Sequence, residues 1–475
     1  MKLRKTDLQN FPPDLIYLVC ETLCHHCTHS NVDTYWASEY QWVGQPEEKP
    51  NRQTLLNLSL LCKSWGYVAQ KFLYHHFGIL ETTLIAGILF CRTVSQNPDL
   101  AKQVKYARLR NIDTADNASP IENWIMEPRN KFSEFLNFPE TIFDPEASNW
   151  ESFVAPLILL QVPNLKHLFV GHKDDYMLFD KFDKPALVRQ QALPLYINAV
   201  LIGHDSKYPE TPEDNPGPVD FSKERLGGIF AAFKHLRYLG ICYPDINTVR
   251  DPLQLQHVTH LNCRCIALRK KQLRNFISAP TALEVFTYSG LQTVGEAFAT
   301  GQDICELLAL HKDTLRKLTI LTYYAGGSFM SMRRLENLKW VTVTAEAFWN
   351  PIDEPSLDEQ ALVDAFPPSL QVVYLEIEEH NWKGIIDAII TYLLSAGKQH
   401  TLRLFYMDLT DGMRPVWDEA RTLRFRESLR AIGQRLEEMS DSITDRSKTG
   451  KLAFNRSIFE PQAGVMPDHE LLKIR

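Results

Sequence analysis

The 475-residue chain is predicted to be an α/β protein, with a small helical module at the N-terminus followed by an irregular solenoid of strand–helix repeats. Three observations predict this. Residues 8 to 77 carry apolar side chains at helical spacing, a loose L-x-x-L-x-L pattern recurs beyond them, and amphipathic stretches stand between its copies. A chain of this length exceeds one ordinary core, so two domains or one elongated repeat array is expected. The predicted divisions are the helical module at 8–77 with an inserted loop at 25–51, a repeat domain at 78–439, and a polar tail or C-terminal cap at 440–475.

The first helix is expected over residues 8 to 24. Pro12 and Pro13 suit its first turn, where a missing N–H costs nothing, and Asp14 sits well against the positive end of the helix dipole. Leu15, Ile16, Val19 and Leu23 share one face. The following segment to Asn51 has no sustained period, ends in a Pro/Glu/Gly cluster and reads as a loop. Periodicity returns in "TLLNLSLLCKSWGYVAQKFLYHHF", where Leu55, Leu58, Leu61, Cys62 and Trp65 make one stripe and Val68, Ala69, Phe72 and Leu73 a second, with Gly66 near the junction. Three short helices in about seventy residues bury little apolar surface by themselves, which implies a partner.

The repeating pattern is clear at Leu165/Leu168/Val170, Leu236/Leu239/Ile241, Leu283/Phe286/Tyr288, Leu315/Leu318/Ile320, Leu338/Val341/Val343 and Leu370/Val373/Leu375. Weaker copies begin at Val104, Val258 and Leu402. From Leu236 the first positions advance by 22 to 32 residues, in or just above the ~20–29-residue period of leucine-rich repeats. Helical stretches such as "KKQLRNFIS", "DICELLALH" and "SLDEQALVDAF" lead into the strands, the last opening on a Ser356/Glu359 capping-box spacing. Alternation of this kind implies parallel strands with right-handed crossovers. Side chains between the core positions, among them His167, Tyr238, Lys317, Thr319, Trp340 and Thr342, then point to the opposite face as candidates for target contact.

Composition narrows the function. A net charge of −7 without a basic block argues against nucleic acid as a partner. The longest apolar run, Leu84 to Cys91, is far short of a bilayer span, and the N-terminal residues lack the apolar core of a secretory signal, so no membrane partner is expected. Nine scattered cysteines fit free thiols in a reducing compartment, cytoplasmic or nuclear. No G-x-S-x-G, phosphate-binding loop, H-E-x-x-H or G-x-G-x-x-G occurs, and no residue is nominated as catalytic and no cofactor is expected.

The N-terminal residues resemble an F-box. "FPPDLIYLVCETL" is similar to its Leu-Pro-x-Glu-Leu opening, and "LLNLSLLCKSWGYVAQKFLYHHF" to its second half, L-x-x-L-x-x-V-C-[KR]-x-W-x-x-[LV]-A. By position, Phe11 stands for the usual Leu, Pro12 is the motif proline, and Asp14 replaces Glu. The resemblance implies adaptor binding through Phe11, Pro12, Pro13, Asp14, Leu15, Ile16, Val19, Leu58, Leu61, Cys62 and Trp65. An insertion of about 27 residues separates the halves, where loop length costs little. F-box proteins bind the Skp-family adaptor of cullin–RING ubiquitin ligases and present a protein substrate, often on leucine-rich repeats. The chain resembles the F-box plus degenerate leucine-rich-repeat proteins of filamentous fungi. A non-catalytic substrate-recognition subunit is therefore expected, with an adaptor-binding scaffold outside any ligase as the alternative.

One cluster points elsewhere. In "CETLCHHCTHS", Cys24 and Cys27 have the spacing that lets two thiolates reach one metal, with Cys20 or His29 as a third ligand. A second ligand pair is lacking, His75 and His76 being the nearby candidates at a helix end. The favoured reading is of half-buried helix cysteines, and a zinc-binding module is the alternative. Cys263 and Cys265 on a predicted strand read as small apolar core filling, and Trp340, Trp349, Trp382 and Trp417 as packing residues.

Overall fold

The computed structural model describes residues 11–28, 48–78, 84–109, 130–135, 154–171, 182, 193–194, 196–203, 230, 232–242, 253–264, 268–290, 299–322, 330–344, 361–377, 392 and 404–409. The chain forms two compact units, Met1–Val258 and Thr259–Arg475. Both are α/β, with parallel strands and intervening helices.

The first unit opens with helix α1 (Pro13–Leu23), its Pro12 in extended backbone and Pro13 in the first turn, as the two prolines predict. The carbonyl of Pro12 accepts from the amides of Leu15 and Ile16 at 3.0 and 3.1 Å. A single turn α2 (His25–Thr28) follows, then α3 (Glu48–Ser59) and α4 (Lys63–Leu73). Helix therefore occupies both margins of the predicted 25–51 loop, while 29–47 lie outside the described residues. Ile16, Cys20, Cys24, Leu55, Trp65, Ala69 and Phe72 make the buried core of this module.

Gly66 is not the junction between the last two helices. The chain turns at Leu60 to Cys62, and Gly66 lies inside α4 because a Cβ there would meet the Ser59 carbonyl oxygen at 2.8 Å. It permits the two helices to approach backbone to backbone.

The module runs directly into β1 (His76–Phe77), which pairs in parallel with β2 (Tyr106–Leu109). Gly78 holds the exit from β1 at φ +84°, a conformation that L side chains rarely adopt. Helices α5 (Leu84–Gln96) and α6 (Pro98–Ala101) return the chain to β2, and α7 (Val154–Gln161) precedes β3 (His167–Gly171). Next come β4 (Ala199–Gly203) and β5 (Tyr238–Cys242), each parallel to the strand before it. Strand β4 has no counterpart in the sequence reading: "AVLIG" is buried at every position, so no alternation marks it.

The second unit contains β6 (His260–Arg264), α8 (Lys270–Ser278), β7 (Val285–Gly290), α9 (Gly301–Leu308), β8 (Lys317–Thr322), β9 (Trp340–Thr344), α10 (Ala361–Ala365), β10 (Val372–Ile377) and β11 (Leu404–Leu409). Each strand pairs in parallel with the next in sequence. The register sets apolar residues opposite one another: Leu261, Phe286, Leu318, Val341, Val373 and Phe405 form one row and Cys263, Tyr288, Ile320, Val343, Leu375 and Met407 another. The described members of both rows from Leu261 to Leu375 are at most 2% exposed, which makes them the core. Cys263 is thus core filling, its thiol pushed up to about 12 by burial, while Cys265 lies outside the described residues.

The first position of the apolar pattern lies two residues before each strand. Val104, Leu165, Ile197 and Leu236 in the first unit, and Leu283, Leu315, Leu338 and Leu370 in the second, are all buried. The two amides that follow share one carbonyl of the previous repeat, as Arg316 and Lys317 share that of Glu284, and Lys339 and Trp340 that of Arg316. Buried His311 joins two connections. It accepts from Leu283 N–H through Nδ1 at 3.4 Å and donates through Nε2 to the Ile277 carbonyl at 2.6 Å, which ties the two connections together.

Thr300 caps α9 by a reciprocal pair, Asp303 N–H to Thr300 Oγ1 and Thr300 N–H to Asp303 Oδ2, each 3.1 Å. Asp303 also pairs with Lys270 of α8. Burial raises a carboxyl, but here the bonds from Lys270 and Thr300 outweigh it and hold Asp303 below its ordinary value. The capping box predicted at Ser356 and Glu359 lies outside the described residues.

Two outcomes follow from this packing. Leu318→Ala, in the core row, should destabilise the chain by about 2–5 kcal/mol in urea unfolding, against within about 0.5 kcal/mol for its half-buried neighbour Lys317→Ala. Asp303→Asn should lower the thermal midpoint at neutral pH, because the depressed carboxylate contributes stability above its unfolded value. That difference from the wild type should shrink as pH falls below about 4 and the wild-type carboxylate takes up its proton.

Candidate functional site

Helix α1 turns Ile16 and Cys20 inward, and the same pitch that buries them leaves Leu15, Leu18 and Val19 exposed. On the α3–α4 side, Leu55 and Trp65 are buried while Leu56, Leu60, Leu61 and Tyr67 are exposed, Leu60 by 77%. With Tyr17, these are eight of the twelve large hydrophobic side chains exposed among the described residues. Scattered exposed apolar residues need no explanation, but their concentration on one small module does.

The structure sorts the predicted adaptor-binding residues into three groups. Pro12, Pro13, Asp14, Leu15, Val19 and Leu61 are exposed, and Phe11, Leu58 and Cys62 are half-buried. Ile16 and Trp65 are buried in the core of the module, where they set the helix packing and present no surface of their own. Phe11 and Trp65 rings stand 5.5 Å apart, so the start of α1 is held against α4. Leu18, Leu56, Leu60 and Tyr67 were not among the predicted set. Leu18 and Leu60 carry a signal in their apolar character, yet apolar character alone does not tell a core face from an exposed one.

A second group gathers where α1 ends. Cys24 stops the helix in extended backbone, Cys27 sits one turn on in α2, and His75 follows α4. Cys24 Sγ and Cys27 Sγ lie 3.6 and 3.5 Å from the same His75 Nδ1. Their ligand atoms are all within 4.8 Å of one another. The bond from Cys24 and burial both push the Cys27 thiol well up, and burial pushes Cys20, one turn earlier, up to about 11. His75, set aside in the sequence as a helix-end residue, is the third member of the cluster. His76 instead stands edge-on to Tyr106 with ring centroids 4.0 Å apart, and His29 lies outside the described residues.

The face of the strands opposite the core differs between units. In the first, His167 is buried and meets Tyr106 edge-on at 6.1 Å, so it is not available to a target as the sequence reading expects, whereas Tyr238 is half-buried. In the second, Asn262, Thr287, Thr319, Thr342 and Tyr374 align in one row, in which Thr287 and Thr319 are buried, so Thr319 is not available to a target as the sequence reading expects. Beside it, Lys317 Nζ lies 5.0 Å from the centre of the Trp340 ring, and Trp340 Nε1 donates to Thr342 Oγ1 at 3.3 Å. Trp340 is 38% exposed, not the packing residue that its size suggests, while Trp349, Trp382 and Trp417 lie outside the described residues. No helix among the described residues is long and apolar enough to cross a membrane.

No family model matches the chain, and no curated protein matches it. Among solved structures, a protein from Bacteroides fragilis is similar at 14% identity over 58% of this chain and 69% of that one, with a TM-score of 0.29. A likeness of that size assigns neither a fold nor an activity to this chain.

Proposed function

We propose that the chain is a substrate-recognition subunit of an SCF-type ubiquitin ligase. In this reading the helical module docks a Skp-family adaptor, the adaptor bridges to a cullin, and the strand–helix array, an irregular leucine-rich-repeat solenoid, holds a protein target. The observation that carries it is the concentration of exposed apolar side chains, Leu15, Leu18, Val19, Leu56, Leu60 and Leu61, within the stretch that resembles an F-box. Docking that removes them from water is favourable by about 25 cal/mol per Å² of apolar area, a large return for a module with so small a core of its own.

Support for the repeat half comes from sequential parallel pairing and from the buried residue two positions before each of β2 to β10, which give these repeats a common backbone plan. Outer-row side chains such as Lys317, Trp340 and Thr342 then vary without disturbing the core and suit contact with a protein target. The mechanism is proximity: a tethered target has a raised effective concentration near the ligase's catalytic subunits, and no bond is made or broken by this chain. An adaptor-bound scaffold outside any ligase rests on the same exposed face and differs in lacking cullin.

Affinity purification of the full chain from cells followed by mass spectrometry tests this. Adaptor and cullin are expected together in the wild-type sample. Leu15→Asp/Leu61→Asp should reduce both at least ~100-fold, since each places a charge in a desolvated contact, with far-UV circular dichroism unchanged. Adaptor without cullin contradicts the ligase and favours the scaffold. Equal recovery from the double variant contradicts the docking face.

A further inference from the structure

Two thiols and one imidazole from distant parts of the chain meet at a single point. Cys24 and Cys27 are 51 and 48 residues from His75, and both sulfurs approach its Nδ1 at nearly equal distance, 3.6 and 3.5 Å. A neutral imidazole nitrogen has one lone pair or one N–H and serves one thiol at a time, so hydrogen bonding, even with the bond between Cys24 and Cys27, does not call for two equal distances. A metal ion does. Around tetrahedral zinc, with Zn–S about 2.3 Å and Zn–N about 2.0–2.1 Å, a sulfur and a nitrogen ligand stand about 3.6 Å apart.

Local structure prepares the same arrangement. The extended backbone of Cys24 ends α1 and lets Cys27, whose amide donates to the Cys24 carbonyl at 2.9 Å, turn back toward it. Phe72 packs against the His75 ring with centroids 4.8 Å apart, which holds the imidazole in place. Cys24 and His75 are buried and Cys27 is half-buried, so the cluster is enclosed on one side and reachable from another.

We infer that Cys24, Cys27 and His75 form a binding site for a zinc-class divalent cation. Two thiolates and an imidazole suit a borderline-soft d¹⁰ ion over magnesium or calcium, which take oxygen ligands. Three protein ligands leave the fourth tetrahedral position to water or an exogenous donor. On loading, both thiol protons pass to solvent and two Zn–S bonds form. The ion clasps the end of α1 and the start of the inserted segment to the residue that follows α4. Metal binding is thereby coupled to the folding of the helical module.

The test uses the full chain, purified under reducing conditions, stripped with a chelator and reconstituted with Zn²⁺ or Co²⁺. Metal analysis after dialysis should find about one zinc per chain, and added zinc should raise the thermal midpoint. The cobalt form should show near-ultraviolet thiolate-to-cobalt charge transfer and tetrahedral visible bands. Cys27→Ser and His75→Ala should each weaken zinc binding by more than the ~10–100-fold that loss of an outer-shell partner costs, while Cys242→Ser should not change it. If His75→Ala unfolds the module, Cys27→Ser at its half-exposed position decides the matter. Absence of zinc uptake, unaltered zinc binding by Cys27→Ser, or a cobalt spectrum without the thiolate band would each overturn the assignment.

Discussion

One constraint recurs through both units: the residue two positions before each of β2 to β10 is buried, and before β2–β5 and β7–β10 the two amides that follow it share a carbonyl of the preceding repeat. Leu315 and Leu338 show the reason. Each closes a turn, and its burial sets the height at which the next strand begins, so Lys317 stands opposite Trp340 and Leu318 opposite Val341. A one-residue slip would carry Leu318 and Ile320 to the outer face and Lys317 and Thr319 into the core. Register is therefore written into the apolar pattern, and the outer row is released from any packing duty within the core.

The helical module obeys a different economy. Among the described residues its core holds seven buried side chains, two of them cysteine and one alanine, which contribute little area each. Close approach at Gly66 and the Phe11–Trp65 contact bring three helices together around it. Leu23, Leu58, Val68 and Leu73 pack half-buried against that core, while Leu15, Leu18, Val19, Leu56, Leu60 and Leu61 face outward. A helical module with this distribution gains stability on docking, by the mass action through which any ligand of the folded state stabilises it.

Much of this was legible in residue order. The L-x-x-L-x-L copies mark the strands because each of their three positions has one burial requirement, and Pro12–Pro13 mark the start of α1 because a missing N–H is tolerated only there. What was not legible has physical causes. Strand β4 is covered on both faces, which erases the period of two, and β1 is two residues long, its direction set by pairing with β2. Gly66 reads as punctuation in one dimension but as clearance in three. Ile16 and Trp65 are contact residues by the F-box resemblance alone, and the motif does not say which of its apolar positions this chain turns inward. His75 could not be joined to Cys24 from sequence, since their meeting depends on how α1 packs against α4.

The proposed docking of a protein on the exposed apolar side chains of the helical module requires that this surface leave water on binding. Calorimetric titration of the full chain with a purified Skp-family adaptor at several temperatures measures it directly. Saturable binding with a negative heat-capacity change, the mark of apolar surface leaving water, is expected. Absence of binding, or binding with a heat-capacity change near zero, would contradict it.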